Sequence, residues 1–181
     1  ATANGATLNY HYGKSNGEIV EVTHTHTLHK REGHVRLMAF INEAPMGNYN
    51  EAVKAAMDTP NISTVRKDGR TRYGFGINID QALTNSGGVF LKASWNDGHN
   101  ETWAYTEIDR SISAGWLQNG QCWHRAQDNV GAAVVVNGIS KDHRNYLAAG
   151  GTGFMLGDGQ LNYAPEMIAE VFYQCNITRL H

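Results

Sequence analysis

Arg70-Thr71-Arg72-Tyr73-Gly74-Phe75-Gly76-Ile77-Asn78-Ile79 decides how this chain is read. Tyr73, Phe75, Ile77 and Ile79 fall on alternate positions, and Arg72, Gly74, Gly76 and Asn78 fall between them. Successive side chains leave a strand on opposite sides, so this period of two predicts one apolar and one polar face. The polar face is unusual for a soluble sheet, because a long cation shares it with two residues that have no side chain.

The same alternation recurs on both sides of this stretch. Upstream, Val35, Leu37, Ala39 and Ile41 oppose Arg36, Met38, Phe40 and Asn42. Glu18–Leu28 precedes them as a more polar strand, joined by the charged turn His29-Lys30-Arg31-Glu32-Gly33. Ala6–Tyr12 sets Leu8, Tyr10 and Tyr12 against Thr7, Asn9 and His11. Downstream, after Thr84-Asn85-Ser86-Gly87-Gly88, the residues Val89, Leu91, Ala93 and Trp95 oppose Phe90, Lys92, Ser94 and Asn96. Ile112, Ala114 and Trp116 then oppose Ser111, Ser113 and Gly115, and Val130, Ala132, Val134 and Val136 alternate with Gly131, Ala133, Val135 and Asn137. Met167–Ile177 is the last candidate, giving about eight strands.

Two segments break the pattern. Ala52, Val53, Ala56 and Met57 follow Asn48-Tyr49-Asn50-Glu51 with the spacing of one face of a short helix, stopped by Asp58-Thr59-Pro60. Residues 138–165 read as a long irregular loop, rich in glycine and polar residues, of a length that usually carries function.

A chain of 181 residues is expected to form one domain, residues 1–181. A net charge of −2 with scattered charges argues against nucleic acid, which needs a concentrated basic surface. Cys122 and Cys175 are too few for a disulfide scaffold and lack metal-pair spacing, so their pairing stays open. With no apolar run of about 18 residues, no transmembrane helix is expected. The composition of 20 glycines, 3 prolines and 18% charged residues fits a soluble β-protein or a membrane barrel, whose polar lumen cancels its apolar exterior in any average.

Two features favour the barrel. The face opposite the apolar stripes carries charged or very small residues, Arg36, Arg72, Lys92, Gly74, Gly76, Ser111 and Ser113, as a water-filled lumen requires. Tyr10, Tyr12, Tyr73, Trp95 and Trp116 sit near the ends of the stripes, where interfacial girdles belong. The fold class expected is therefore all-β, an antiparallel transmembrane-type β-barrel or barrel segment of about eight strands with one short helix.

No catalytic constellation competes with this. His24 and His26 share one strand face, as two zinc ligands can, but no HExxH or CxxC accompanies them. Gly150-Gly151-Thr152-Gly153 lacks the Gly-Lys-Ser/Thr ending of a phosphate loop. Neither an enzyme, a metal nor a cofactor is expected.

Several long stretches carry a resemblance. They include Arg36–Asn42 with Met46-Gly47-Asn48-Tyr49-Asn50-Glu51-Ala52, and Gly69–Asn78. Trp95-Asn96-Asp97-Gly98 follows, then Glu101-Thr102-Trp103-Ala104-Tyr105-Thr106-Glu107-Ile108-Asp109-Arg110. The closing block comprises Val136–Ser140, Asp142–Gly151 and Leu156–Glu166. In order and spacing these resemble the carbohydrate-selective porins of the bacterial outer membrane, over about Glu18 to Tyr173. Members of that family are longer, so the chain is expected to match part of their C-terminal half. The resemblance implies a barrel in outer-membrane lipid through which sugars and other small polar solutes diffuse, and it leaves a homo-oligomer open.

A lumen that passes sugars must exchange water for side-chain hydrogen bonds without holding the solute. Arg36, Arg72 and Lys92 would supply donors, and Asn78, Glu107, Asp109 and Asn137 acceptors. Trp103 would stack on a sugar's C–H face, anchor at the interface or plug a loop. Glu107 and Asp109, beside Arg110, would form a constriction charge pair or pin a loop. The competing expectation is a soluble β-rich glycan-binding module without pore activity, stable without detergent.

Overall fold

The computed structural model describes residues 13–102 and 106–177. Seven strands form one sheet: β1 (Asn16–Leu28), β2 (Arg31–Met46), β3 (Lys67–Ala82), β4 (Gly87–Asn96), β5 (Arg110–Gly120), β6 (Arg125–Gly138) and β7 (Glu166–Gln174). Every strand pairs antiparallel with its neighbour in sequence, in the order β1 to β7. This is a meander with β1 and β7 at its two edges, an open segment of a barrel wall among the described residues. The candidate strand Ala6–Tyr12 lies outside the described residues.

Short and long connections alternate. At one end, His29 and Lys30 close the β1–β2 hairpin with φ of +49° and +64°, the conformation of a two-residue turn matched to strand twist. Residues 83–86 join β3 to β4, with the Leu83 and Thr84 N–H groups both donating to the Gly87 carbonyl. A 3₁₀ turn, Gln121–Trp123, joins β5 to β6. At the other end the connections 47–66, 97–109 and 139–165 pack together into a cap.

Two helices lie in that cap. The expected one is α1 (Tyr49–Ala55), capped by Asn48, whose side chain accepts from the Glu51 N–H at 3.0 Å. A second, α2 (Lys141–Ala148), occupies the start of the segment read as irregular. Ser140 caps it by accepting from the His143 N–H at 3.0 Å. Tyr49, Ala52, Ile62, Ile139, Tyr146 and Leu147 form a buried apolar cluster between the helices and the neighbouring turn Ile62–Val65.

The sheet itself buries neither face. Register places Val22, Leu37, Ile77, Ala93, Ile112, Val136 and Met167 in one row across all seven strands. Apolar residues of this face stay exposed, among them Val20 at 65%, Phe75 at 58%, Val134 at 55% and Val171 at 79%. A contiguous apolar patch of this extent exceeds what monomeric proteins leave to water. Aromatics bracket it. Tyr73, Phe75 and Trp95 cluster towards the cap, with Trp95 centroids 6.0 Å from Tyr73 and 5.2 Å from Phe75. Trp116, paired with Val89, and the Trp123–Tyr173 contact lie towards the short turns. Trp95 and Val89 are six residues apart on β4, about 20 Å along the strand, comparable to the ~25 Å apolar band of outer-membrane barrels.

Candidate solute-contacting face and loop cap

The opposite face is polar over β1–β5, where two of its rows carry the polar side chains. Arg36, Asn78, Lys92 and Ser113 are successive register partners on β2, β3, β4 and β5. One pair nearer the cap, Glu21, Met38, Gly76, Ser94, Ser111, Asn137 and Glu166 form a row from β1 to β7. Between these rows lies a depression of about 320 Å³, lined by Glu21, Arg36, Asn78, Lys92, Ser94 and Ser111 among others. Gly76 lies in its lining, and a β-carbon there would sit in ordinary van der Waals contact with the Ala93 carbonyl oxygen at 3.5 Å and the Met38 side chain at 3.6 Å.

The charges in the depression differ in their freedom. Arg36 donates to Asp80, which also bonds His34 Nδ1 at 2.8 Å. The Lys92 ammonium lies 5.4 Å from the Phe90 ring centroid and has no carboxylate partner among the described residues. Asn137 is fully engaged, its oxygen accepting from Ser111 Oγ at 2.7 Å and its nitrogen donating to Glu166 at 2.7 Å.

Arg72, Asp109 and Glu107 occupy a different place, buried where the strands enter the cap. Arg72 donates to Asp109, to the Asn100 carbonyl at 3.0 Å and to the Asn96 side chain at 2.8 Å. The second Asp109 oxygen accepts from the Ser140 N–H at 2.7 Å and from His143 Nδ1 at 3.2 Å. One carboxylate thus ties β3, the 97–109 connection and the first turn of α2 together. Burial alone would raise the Asp109 pKa, but the His143 hydrogen bond, the Arg72 charge and the Ser140 N–H outweigh it and hold the carboxyl below its ordinary value. His143 is stacked on Tyr49 with centroids 4.4 Å apart and planes within 9°. Burial raises the Tyr49 pKa well above that of a free phenol, so it stays neutral.

Glu107 accepts three consecutive backbone N–H groups, Phe154 at 2.9 Å, Met155 at 2.9 Å and Leu156 at 2.7 Å. It closes the loop after α2 onto the 97–109 connection. Glu101 does the same work on the other side, held by Arg66 at 2.7 and 2.8 Å and by the Gly47 N–H at 2.7 Å.

The eight sequence candidates therefore fall into separate groups. Arg36, Asn78 and Lys92 share one row, and Asn137 lies in the adjacent row. Arg72, Glu107 and Asp109 sit in the cap with protein partners, and Trp103 lies outside the described residues. Sequence reasoning passed over Glu21, Ser94, Glu101, His143 and Glu166. For Glu21, Ser94 and Glu166 the signal was position on the polar face. For Glu101 it was the density of polar residues around Asp97-Gly98-His99-Asn100, whereas nothing local marked His143. Among the described residues the histidines do not converge: His24 and His26 stack at 6.0 Å on the face opposite His34, which is bound to Asp80. Cys122 and Cys175 are both exposed free thiols.

A strand meander with an apolar exposed face, aromatic brackets, a polar inner face and a packed loop cap defines a segment of an outer-membrane-type β-barrel. The sequence matches the family described as carbohydrate-selective porin, OprB family, over residues 2–180. The chain belongs to that family. Among solved structures it is similar to the one titled "High pH structure of Pseudomonas putida OprB", with a TM-score of 0.61 and 16% identity. That alignment covers 75% of this chain and 33% of the other, so the chain spans about a third of that porin's length. Comparison with curated proteins finds no match.

Proposed function

We infer that the chain forms wall and mouth of a diffusion channel for sugars and other small polar solutes in the bacterial outer membrane, and that it catalyses nothing. The observation that carries this reading is the division of one sheet into an exposed apolar face bracketed by aromatics and a polar face with a side-chain depression across β1–β5. Lipid is the solvent that suits the first face, and water with dissolved sugar suits the second. Among the described residues no helix is long and apolar enough to cross a membrane, and in this reading the strands do the crossing. Outer-membrane barrels keep short turns on the periplasmic side and long loops outside, which puts the α1–α2 cap at the cell exterior. Arg36, Asn78 and Lys92 line the solute path, with Asn137 at its upper edge. Arg72, Glu107 and Asp109 hold the mouth in shape.

The test is reconstitution of the chain in detergent and then in a planar bilayer. Detergent-dependent solubility with stepwise conductance, and osmotic swelling of liposomes in glucose, are expected. A monodisperse, detergent-free monomer that binds sugar and never conducts would replace the channel with a soluble glycan-binding module.

A further inference from the structure

Above the end of β6, the connection 139–165 arches over a cavity of about 610 Å³. This is within the size range of small-molecule sites, roughly 300–1,000 Å³. Its lining divides by chemistry. Ile139, Leu156 and Leu161 give an apolar surface, while Asp158, Asn162 and Glu166 supply polar groups. That combination suits a pyranose, which has an apolar C–H face and a rim of hydroxyls. The cavity also connects to the polar face below: Glu166 accepts from Asn137, Asn137 accepts from Ser111, and Ser111 lines the mid-wall depression.

The charges around the cavity have one sign. Glu107 lines it with a carboxylate already held by three N–H groups, and Asp158 and Glu166 add two exposed carboxylates. No lysine or arginine is among the lining residues; the Arg144 guanidinium lies over the ring of the lining Tyr163, 4.7 Å from its centroid. An anionic sugar would meet uncompensated carboxylates here, whereas the mid-wall row below carries Arg36 and Lys92.

We propose that this cavity is the first docking subsite for solute, that it takes neutral pyranose sugars, and that Glu166 and Asp158 make it reject anionic ones. The proposal deepens the channel reading and rests on it for the direction of travel. Binding in detergent micelles by saturation-transfer NMR and block of single-channel current in a bilayer are measured separately, so that the two readings fail separately. The probes are glucose, maltose, gluconate and glucose 6-phosphate. Glucose and maltose are expected to bind in the wild-type chain and the two anions not to. Glu166→Ala should weaken neutral-sugar binding about tenfold, the loss of one or two hydroxyl hydrogen bonds. Glu166→Gln with Asp158→Asn should admit the anions while keeping the neutral sugars, and both positions are exposed enough to leave folding intact. Binding and block that are unchanged in these variants, in a chain that still conducts, would overturn the subsite and leave the channel. Sugar binding that is lost in Glu166→Ala, in a chain that never conducts, would uphold the subsite and overturn the channel.

Discussion

Replacing Asp109 by asparagine isolates what the cap contributes to stability. The substitution keeps the shape and one acceptor oxygen but removes the charge opposite Arg72, whose side chain is 5% exposed. Arg72 keeps its bonds to the Asn100 carbonyl and the Asn96 amide, neither of which carries charge. Removing one member of a buried ion pair costs about 3–5 kcal/mol, because the remaining charge stays desolvated. Urea unfolding in detergent micelles should register a loss of that size for Asp109→Asn. Replacing both residues, Arg72→Met with Asp109→Leu, orphans no charge but leaves the Ser140 N–H, His143 Nδ1 and the Asn100 carbonyl without these partners, so it should be no less destabilising than the single variant. Glu51→Gln is the control: its pair with Lys67 is exposed and its pair with Arg70 only part-buried, so it should cost clearly less than Asp109→Asn, although those hydrogen bonds pull the Glu51 pKa to about 2. The acid limb gives an independent check. The Asp109 pKa is lowered in the folded chain, so the unfolded chain takes up the proton first, near pH 4. Its contribution is complete above that pH and is lost as pH falls through the folded value. Asp109→Asn should flatten this part of the stability profile. A loss under 1 kcal/mol, or an acid limb unchanged in Asp109→Asn, would refute the reasoning.

Three further outcomes are expected. Lys92→Glu reverses the one unpaired cation of the depression among the described residues and should shift the reversal potential in a salt gradient towards cation selectivity. Gly76→Leu extends a side chain into the depression from a position where a β-carbon makes only ordinary contacts, so glucose-driven liposome swelling should slow severalfold while stability in urea changes by less than ~1.5 kcal/mol. His29→Asn with Lys30→Gly replaces two residues held at positive φ by ones that tolerate it, and should raise the unfolding midpoint by an amount corresponding to about 1 kcal/mol.

The wall was legible because period two survives any twist or tilt: the apolar set around Tyr73–Ile79 and Val89–Trp95 faces one way in the fold as it does in the alternation. Height along the wall was not legible. Arg36 and Arg72 alternate identically with apolar neighbours, yet Arg72 stands six residues from Asn78, about 20 Å further along β3, where the sheet gives way to the cap. Glu107 and Asp109 are two residues apart, the spacing of one strand face. β5 begins at Arg110, however, and the two carboxylates bind opposite sides of α2, Asp109 at its first turn and Glu107 on residues 154–156 after it. α2 escaped notice because eight residues with Tyr146 and Leu147 as their apolar pair show too little periodicity. Its surviving signals were Ser140 at the cap and Asp142 in the first turn. The His143–Asp109 bond spans 34 residues, a separation at which no local pattern speaks.

The placement of the buried apolar cluster explains why these two regions should respond so differently to substitution. A soluble sheet is held by covering at least one face with another layer. Here that cluster joins connections to one another, and the seven strands are left with six antiparallel ladders and two uncovered faces. In lipid the uncovered apolar face costs nothing, while the ladder hydrogen bonds gain strength because no water competes for them. In the channel reading the wall therefore tolerates changes on its polar face, at Lys92 and Gly76 beside the depression, and such changes should alter conduction before stability. The cap follows the opposite rule. Arg72, Glu101, Glu107 and Asp109 are desolvated and bonded to backbone or to each other, so each is fixed by the cost of leaving a buried partner unmet. Substitutions there should alter stability and the shape of the mouth together, and an assay that reads both would separate wall residues from cap residues without any knowledge of the solute.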